Sequence, residues 1–176
     1  GMPYPQFVQK HIFEPLGMKS SLYDDPAPLV PGRAAGYTRD GEKIVNAAYL
    51  SMTQPHAAGA LASTVDDLAR WNAAILAGKL VKKKTLQKAF QSYILADGRK
   101  TSYGFGWATC DYEGLTFIEH GGGINGFTCH AISVPSEKLY VVVLTNCDTP
   151  KPSPEIIALQ LAGLALQSLP DPQEFI

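Results

Sequence analysis

Near Tyr103 the spacing of apolar residues changes from helical to strand-like, and this limits the folds open to the chain. Tyr103 to Thr109, Leu115 to Glu119, Phe127 to Val134 and Lys138 to Thr145 are rich in aromatic and β-branched residues and predict four strands. Pro135-Ser136-Glu137 is a tight connection, so the last two strands should form an antiparallel hairpin. Leu139 to Leu144 is almost continuously apolar, as expected of a strand covered on both faces.

Upstream the period is helical. Phe7, Val8, His11 and Ile12 share a face that Pro15 and Gly17 stop. Ser63-Thr64 before Val65-Asp66-Asp67 is a helix start, with a hydroxyl cap and acids in the first turn. Leu68, Trp71, Ile75 and Leu76 continue it to Gly78, and Val81 to Tyr93 reads as a further helix. Lys19 to Pro55, rich in Pro, Gly and Asp, reads as a long irregular segment with extended pieces such as Arg33 to Thr38. Pro154 opens a last helix carrying Ile156, Ile157, Leu159, Leu161, Leu164 and Leu166. The class expected is α+β: helices, then an antiparallel sheet closed by a C-terminal helix.

The 176 residues suit a single domain with a real core. A net charge of −1 with scattered Lys and Arg carries no nucleic-acid footprint, so no nucleic-acid partner is expected. No stretch of about 18 apolar residues is present, so no membrane span is expected in this chain. Cys110, Cys129 and Cys147 lack C-x-x-C spacing and read as buried thiols, one on each of three strands. No carboxylate or third His stands at ligand spacing from His120 and His130, so neither metal nor cofactor is expected.

Chemistry concentrates in Glu119-His120-Gly121-Gly122-Gly123-Ile124-Asn125-Gly126-Phe127, read as a glycine-rich turn that lets backbone approach a ligand. Gly121-x-Gly123-x-x-Gly126 matches the dinucleotide fingerprint, but that motif needs a helix next and Phe127 to Val134 reads as a strand. His-Gly-Gly-Gly matches the oxyanion loop of lipase-like hydrolases, but no G-x-S-x-G elbow exists in the chain. The third reading is a strand ending in a small-residue motif that lines an active site edge-on, as K-T-G does in serine β-lactamases.

At this point the chain resembles the serine β-lactamase and penicillin-binding-protein family, in the branch of class C β-lactamases, D-alanyl-D-alanine peptidases and related esterases. Ile12-Phe13-Glu14-Pro15-Leu16-Gly17-Met18 is similar to the family's "PLGM" helix end. Ala58 to Trp71 is similar to its "GGL-ST-DLARW" segment, and Tyr103-Gly104-Phe105-Gly106-Trp107 to its "YGLGW" strand. His120-Gly121-Gly122 with Gly126-Phe127 resembles "HGG…GF".

The resemblance implies acyl transfer through a serine ester, with the lysine of S-x-x-K taking the serine proton. It implies that His120 replaces the lysine of K-T-G as candidate catalytic side chain, orienting a substrate carboxylate or supporting the assisting tyrosine. Gly121 and Gly122 would complete the substrate-binding triad, and the Gly123 N–H would be an oxyanion donor, typically worth roughly 3 kcal/mol of barrier. The substrate implied is a small molecule or peptide.

The remaining family motifs are missing. No serine is followed by lysine three residues later, and no Y-x-N or S-x-N occurs, so no nucleophile is assigned in this chain. The expectation is therefore a C-terminal portion, residues 1–176, of a β-lactamase-like domain whose N-terminal part is absent, inactive by itself. Gly1-Met2 running at once into a helix fits that expectation. The alternative is a naturally short, catalytically dead binding relative. Without the family's N-terminal strands, a sheet edge should be exposed and favour self-association. The compartment is left open.

The other histidines read as bland: His11 and His56 as surface or packing residues, His130 as structural. Asn146 reads as a strand-ending residue, Trp71 and Trp107 as packing aromatics, and helix-dipole stabilisation is sufficient for Asp66 and Asp67.

Overall fold

A computed structural model describes residues 1–167. By its internal contacts the chain forms two compact units. The first holds residues 1–71, 122–129 and 144–154, and the second residues 72–121, 130–143 and 155–167.

The first unit opens with one continuous helical segment. Helix α1 (Tyr4–Val8) passes into a π turn (Gln9–Phe13) and then α2 (Glu14–Leu16). Pro15 has no N–H for the usual bond to residue 11, and the ladder shifts so that Glu14 N–H reaches Gln9 O instead. Gly17 ends the segment with φ of 65°, and Met18 N–H returns to Phe13 O. Val8, Phe13 and Met18 are buried there, with Tyr4, Ile12, Leu16 and Trp71 packed against them.

The segment Lys19 to Pro55 is less irregular than its composition suggests. It supplies β1 (Leu22–Tyr23), β2 (Tyr37–Asp40) and β3 (Lys43–Asn46). Strands β2 and β3 form an antiparallel hairpin, and β1 pairs with β4 (Leu61–Ala62). Helix α3 (Val65–Leu76) follows, capped by the Thr64 hydroxyl, which accepts the Asp67 N–H at 3.3 Å.

Helix-dipole stabilisation does not suffice for Asp67. Its side chain is buried, and its carboxylate accepts from Ser20 N–H, Ser21 hydroxyl and Arg70 guanidinium at 2.7 to 2.9 Å. A buried carboxylate needs such partners, and these tie the turn after α2 to the start of α3.

In the second unit, α4 (Lys83–Phe90) is shorter than the expected Val81 to Tyr93, because Tyr93 enters extended pairing with Thr101 and Tyr103. The sheet strands are β5 (Ala108–Tyr112), β6 (Leu115–Ile124), β7 (Phe127–Val134) and β8 (Leu139–Thr145), hydrogen-bonded in that order and antiparallel. Strands β6, β7 and β8 each run from one unit into the other. Helix α5 (Pro154–Leu166) contributes Ala158, Leu159 and Ala162 to a core with Phe117, Ile132 and Val134. The expected α+β fold with a terminal closing helix is the observed one.

Three details differ from expectation. The first strand begins at Ala108, because Tyr103 keeps only an isolated bridge to Ala108 and residues 104–107 bend between the two. Gly106 there has φ of 80°, and a Cβ on Gly104 would collide with Ala89 O. Second, β8 is half-buried rather than covered on both faces. It stands at an end of the sheet, and Leu144 is exposed while Leu139, Val141 and Val143 pack toward the core. Third, the cysteines are not three buried strand thiols: Cys110 is half-buried on β5, Cys129 is exposed on β7, and Cys147 lies beyond the end of β8. No helix among the described residues is long and apolar enough to cross a membrane.

Candidate functional site

The glycine run is a strand before it is a turn. Strand β6 continues through His120, Gly121, Gly122 and Gly123 to Ile124, and only Asn125-Gly126 turns. Its partner β5 stops earlier, the last paired residues being Ala108 and Glu119. From His120 onward β5 supplies β6 with no further ladder partner among the described residues.

Alternation decides which backbone groups face that open side. A two-residue loop makes its flanking residues Ile124 and Phe127 a hydrogen-bonded pair across β6 and β7. The amides of Ile124, Gly122 and His120 then point toward β7, and those of Gly123 and Gly121 point away from it. The Gly122 amide does reach the Cys129 sulfur on β7.

The division between the two units falls between Gly121 and Gly122. In the second unit, both ring nitrogens of His120 are engaged. Nδ1 bonds the Gly121 carbonyl, and Nε2 lies 2.8 Å from the Tyr103 hydroxyl, the two rings being 5.9 Å apart. Tyr103 is positioned by the Gly104–Gly106 turn, which packs on the end of α4 through Phe105 N–H to Ala89 O. Sequence reading placed Tyr103 on a strand and gave it no site role. Only the turn imposed by Gly104 and Gly106 brings its hydroxyl to His120.

In the first unit, Gly122 and Gly123 have no positive φ. A Cβ would meet the Cys129 sulfur at 3.3 Å from Gly122 and Thr128 Cγ2 at 3.4 Å from Gly123. Neither position requires glycine strictly for the fold, although glycine weakens a strand interior. Gly126 is the opposite case. It has φ of 83°, and a Cβ would lie 2.7 Å from Gly36 Cα and 2.9 Å from Ala47 Cβ.

The turn is held firmly. Gly126 N–H donates to Asp148 Oδ2 at 2.9 Å, and Asn125 Nδ2 to Ala48 O at 3.1 Å. The Thr38 hydroxyl, then the Gly126 amide, hold the Asp148 carboxyl below the usual carboxylate range. Asn146 does not cap its own backbone: its amide donates to Ala35 O, and its carbonyl accepts Tyr37 N–H.

The remaining histidines are structural. His130 lies 3.1 Å from Glu119 in a mostly buried pair, His11 stacks near Phe7, and His56 sits beside Tyr4 and Tyr23. Neither of two strand thiols is activated. Burial, then Glu119 and Asp111, push Cys110 up to about 11. Desolvation of the sulfur raises Cys129, although the residue as a whole is exposed, against the opposing Gly122 amide. No cluster of three or more His, Cys, Asp or Glu among the described residues is arranged for a metal ion.

The pairing of β6 with β5 thus ends at Glu119, one residue before His120. The Beta-lactamase family profile matches residues 1–165. The chain belongs to the Beta-lactamase family. A D-aminopeptidase of Gluconobacter oxydans (strain 621H) is 27% identical over 146 residues, covering 83% of this chain and 28% of that protein. Penicillin-binding protein 4* of Bacillus subtilis (strain 168) is 28% identical over 163 residues, covering 83% of this chain and 35% of its own length. The octameric penicillin-binding protein homologue from Pyrococcus abyssi superposes with a TM-score of 0.79 and 27% identity, over 97% of this chain and 39% of that one. The chain thus spans about a third of the length of these relatives.

The contrast among glycines gives a direct test in urea unfolding. Gly126→Ala should lose about 2 kcal/mol or more, from strain at positive φ plus contact with Gly36. Gly123→Ala should stay within about 0.5 kcal/mol of the parent. Equal losses at both positions would contradict the view that Gly123 is free of a folding role.

Proposed function

We propose that this chain is the C-terminal part of a β-lactamase-like serine hydrolase, and that the β6 edge from His120 to Gly123 binds the acyl substrate. The observation carrying this reading is that β6 outruns β5 with glycines the fold does not strictly require. An extended substrate can lie along such an edge by strand addition, its carbonyl facing the Gly123 N–H. Small residues keep side chains out of the approach.

In this reading a serine, its proton passing to the lysine of S-x-x-K, attacks a lactam, D-amino-acid peptide or ester carbonyl. The negative charge that develops on the carbonyl oxygen is met by the Gly123 N–H. The C–N or C–O bond then breaks, the departing nitrogen or oxygen takes up that proton, and the serine ester remains. The serine ester is then hydrolysed by water. The nucleophile and its lysine come from outside these residues, since the chain contains no S-x-x-K, and Y-x-N is missing likewise. Alone, the chain is therefore inactive. The name D-aminopeptidase borne by one relative favours substrates containing D-amino acids among the three classes.

A fluorescent penicillin and a fluorophosphonate, read by intact mass, test this. The 176-residue chain should gain no adduct, and the full-length product of its gene should gain one on a serine with lysine three positions later. An adduct on a serine of this chain would overturn the assignment. An unlabelled full-length product would favour the catalytically dead binding relative instead.

Self-association through the β8 edge is part of the same proposal. This strand stands at an end of the sheet, is half-buried except at the exposed Leu144 and carries no Lys, Pro or acid to discourage pairing. Light scattering over a concentration series should give a mass above the monomer's. A constant monomer mass would count against it.

A further inference from the structure

We infer that Tyr103 is a positioning residue that fixes the tautomer and orientation of His120. This rests on the reading of His120 as a site residue, but its argument is independent of any substrate. A carbonyl oxygen can only accept, so the His120 Nδ1 that bonds Gly121 O carries the proton. In the uncharged imidazole the other nitrogen, Nε2, is then a lone pair. The group 2.8 Å from it is the Tyr103 hydroxyl, which must donate. The uncharged ring is thereby held at both ends as the Nδ1–H form.

The hydroxyl arrives there by local design. Gly106 takes φ of 80°, and at Gly104 any side chain would collide with Ala89 O, so the turn places Tyr103 beside β6. The Tyr103 carbonyl accepts Tyr93 N–H, and its amide donates to the Thr101 hydroxyl, so its backbone is fixed separately from its ring. Tyr103 Oη is thus delivered to Nε2 from a turn, while Gly121 O is delivered to Nδ1 by the strand itself.

The consequence concerns what His120 can offer. With Nδ1–H given to Gly121 and Nε2 accepting from Tyr103, the uncharged ring keeps no N–H for a bound carboxylate. Donation to a substrate anion, the role implied by analogy with a lysine at this position, requires the ring to gain a second proton, or its proton to move from Nδ1 to Nε2 with loss of both present hydrogen bonds. Tyr103 therefore decides whether His120 acts as a donor.

Long-range ¹H–¹⁵N spectra of the 176-residue chain test this, at a pH where the same spectra show His120 uncharged. The Nδ1–H form should dominate by roughly tenfold or more, from two hydrogen bonds of ordinary strength. Tyr103→Phe keeps the ring and removes only the hydroxyl, and should move the ratio several-fold toward the Nε2–H form with backbone shifts elsewhere unchanged. Dominance of the Nε2–H form in the parent, or an unaltered ratio in Tyr103→Phe, would overturn the inference. Because the readout needs no substrate, it stands or falls separately from the labelling result.

Discussion

The close approach of Gly36 to Gly126 holds the far end of β6, and the proposed site depends on it. Two backbones can come this near only if neither carries a Cβ, and a methyl on Gly36 would press the Phe127 ring at 2.6 Å. Asp148 and Asn125 add hydrogen bonds on either side of the turn, to Gly126 N–H and Ala48 O. A β-strand that has lost a neighbour on one side would ordinarily fray. Fastened at its tip, β6 keeps an extended backbone past the point where β5 leaves it.

From that constraint follows the division of labour among the glycines. Gly36 and Gly126 are steric necessities of folding, whereas Gly122 and Gly123 have ordinary strand geometry and tolerable space for a Cβ. Their use at an open edge makes sense as clearance for something outside the chain. His120 at the near end has a different character, since both of its nitrogens are occupied by its own chain.

Much of this was legible beforehand, because apolar period and turn chemistry are local. The boundaries of Phe127 to Val134, the cap at Thr64 and the opening of α5 at Pro154 follow from residues within a few positions of one another. By composition the glycine run reads as a turn at or beyond a strand end, but β6 extends through it, because strand pairing with β7 outweighs the low strand propensity of glycine. The expected strand is interrupted just after Tyr103 for a related reason: aromatic residues signal a strand through Trp107, and the steric demand at Gly104 comes from Ala89, some fifteen residues away. Likewise, Asp67 looks like any first-turn acid until Ser20 and Ser21, far back in sequence, close around it. Long-range contacts of this kind leave no local mark.

Amide hydrogen exchange along β6 tests the central claim most directly. The account predicts that Gly123 N–H, facing the open side, exchanges rapidly while Gly122 and Ile124, facing β7, are protected. Protection of Gly123 equal to that of Gly122 would mean that the edge is already paired, and the proposed substrate strand would have no place to lie.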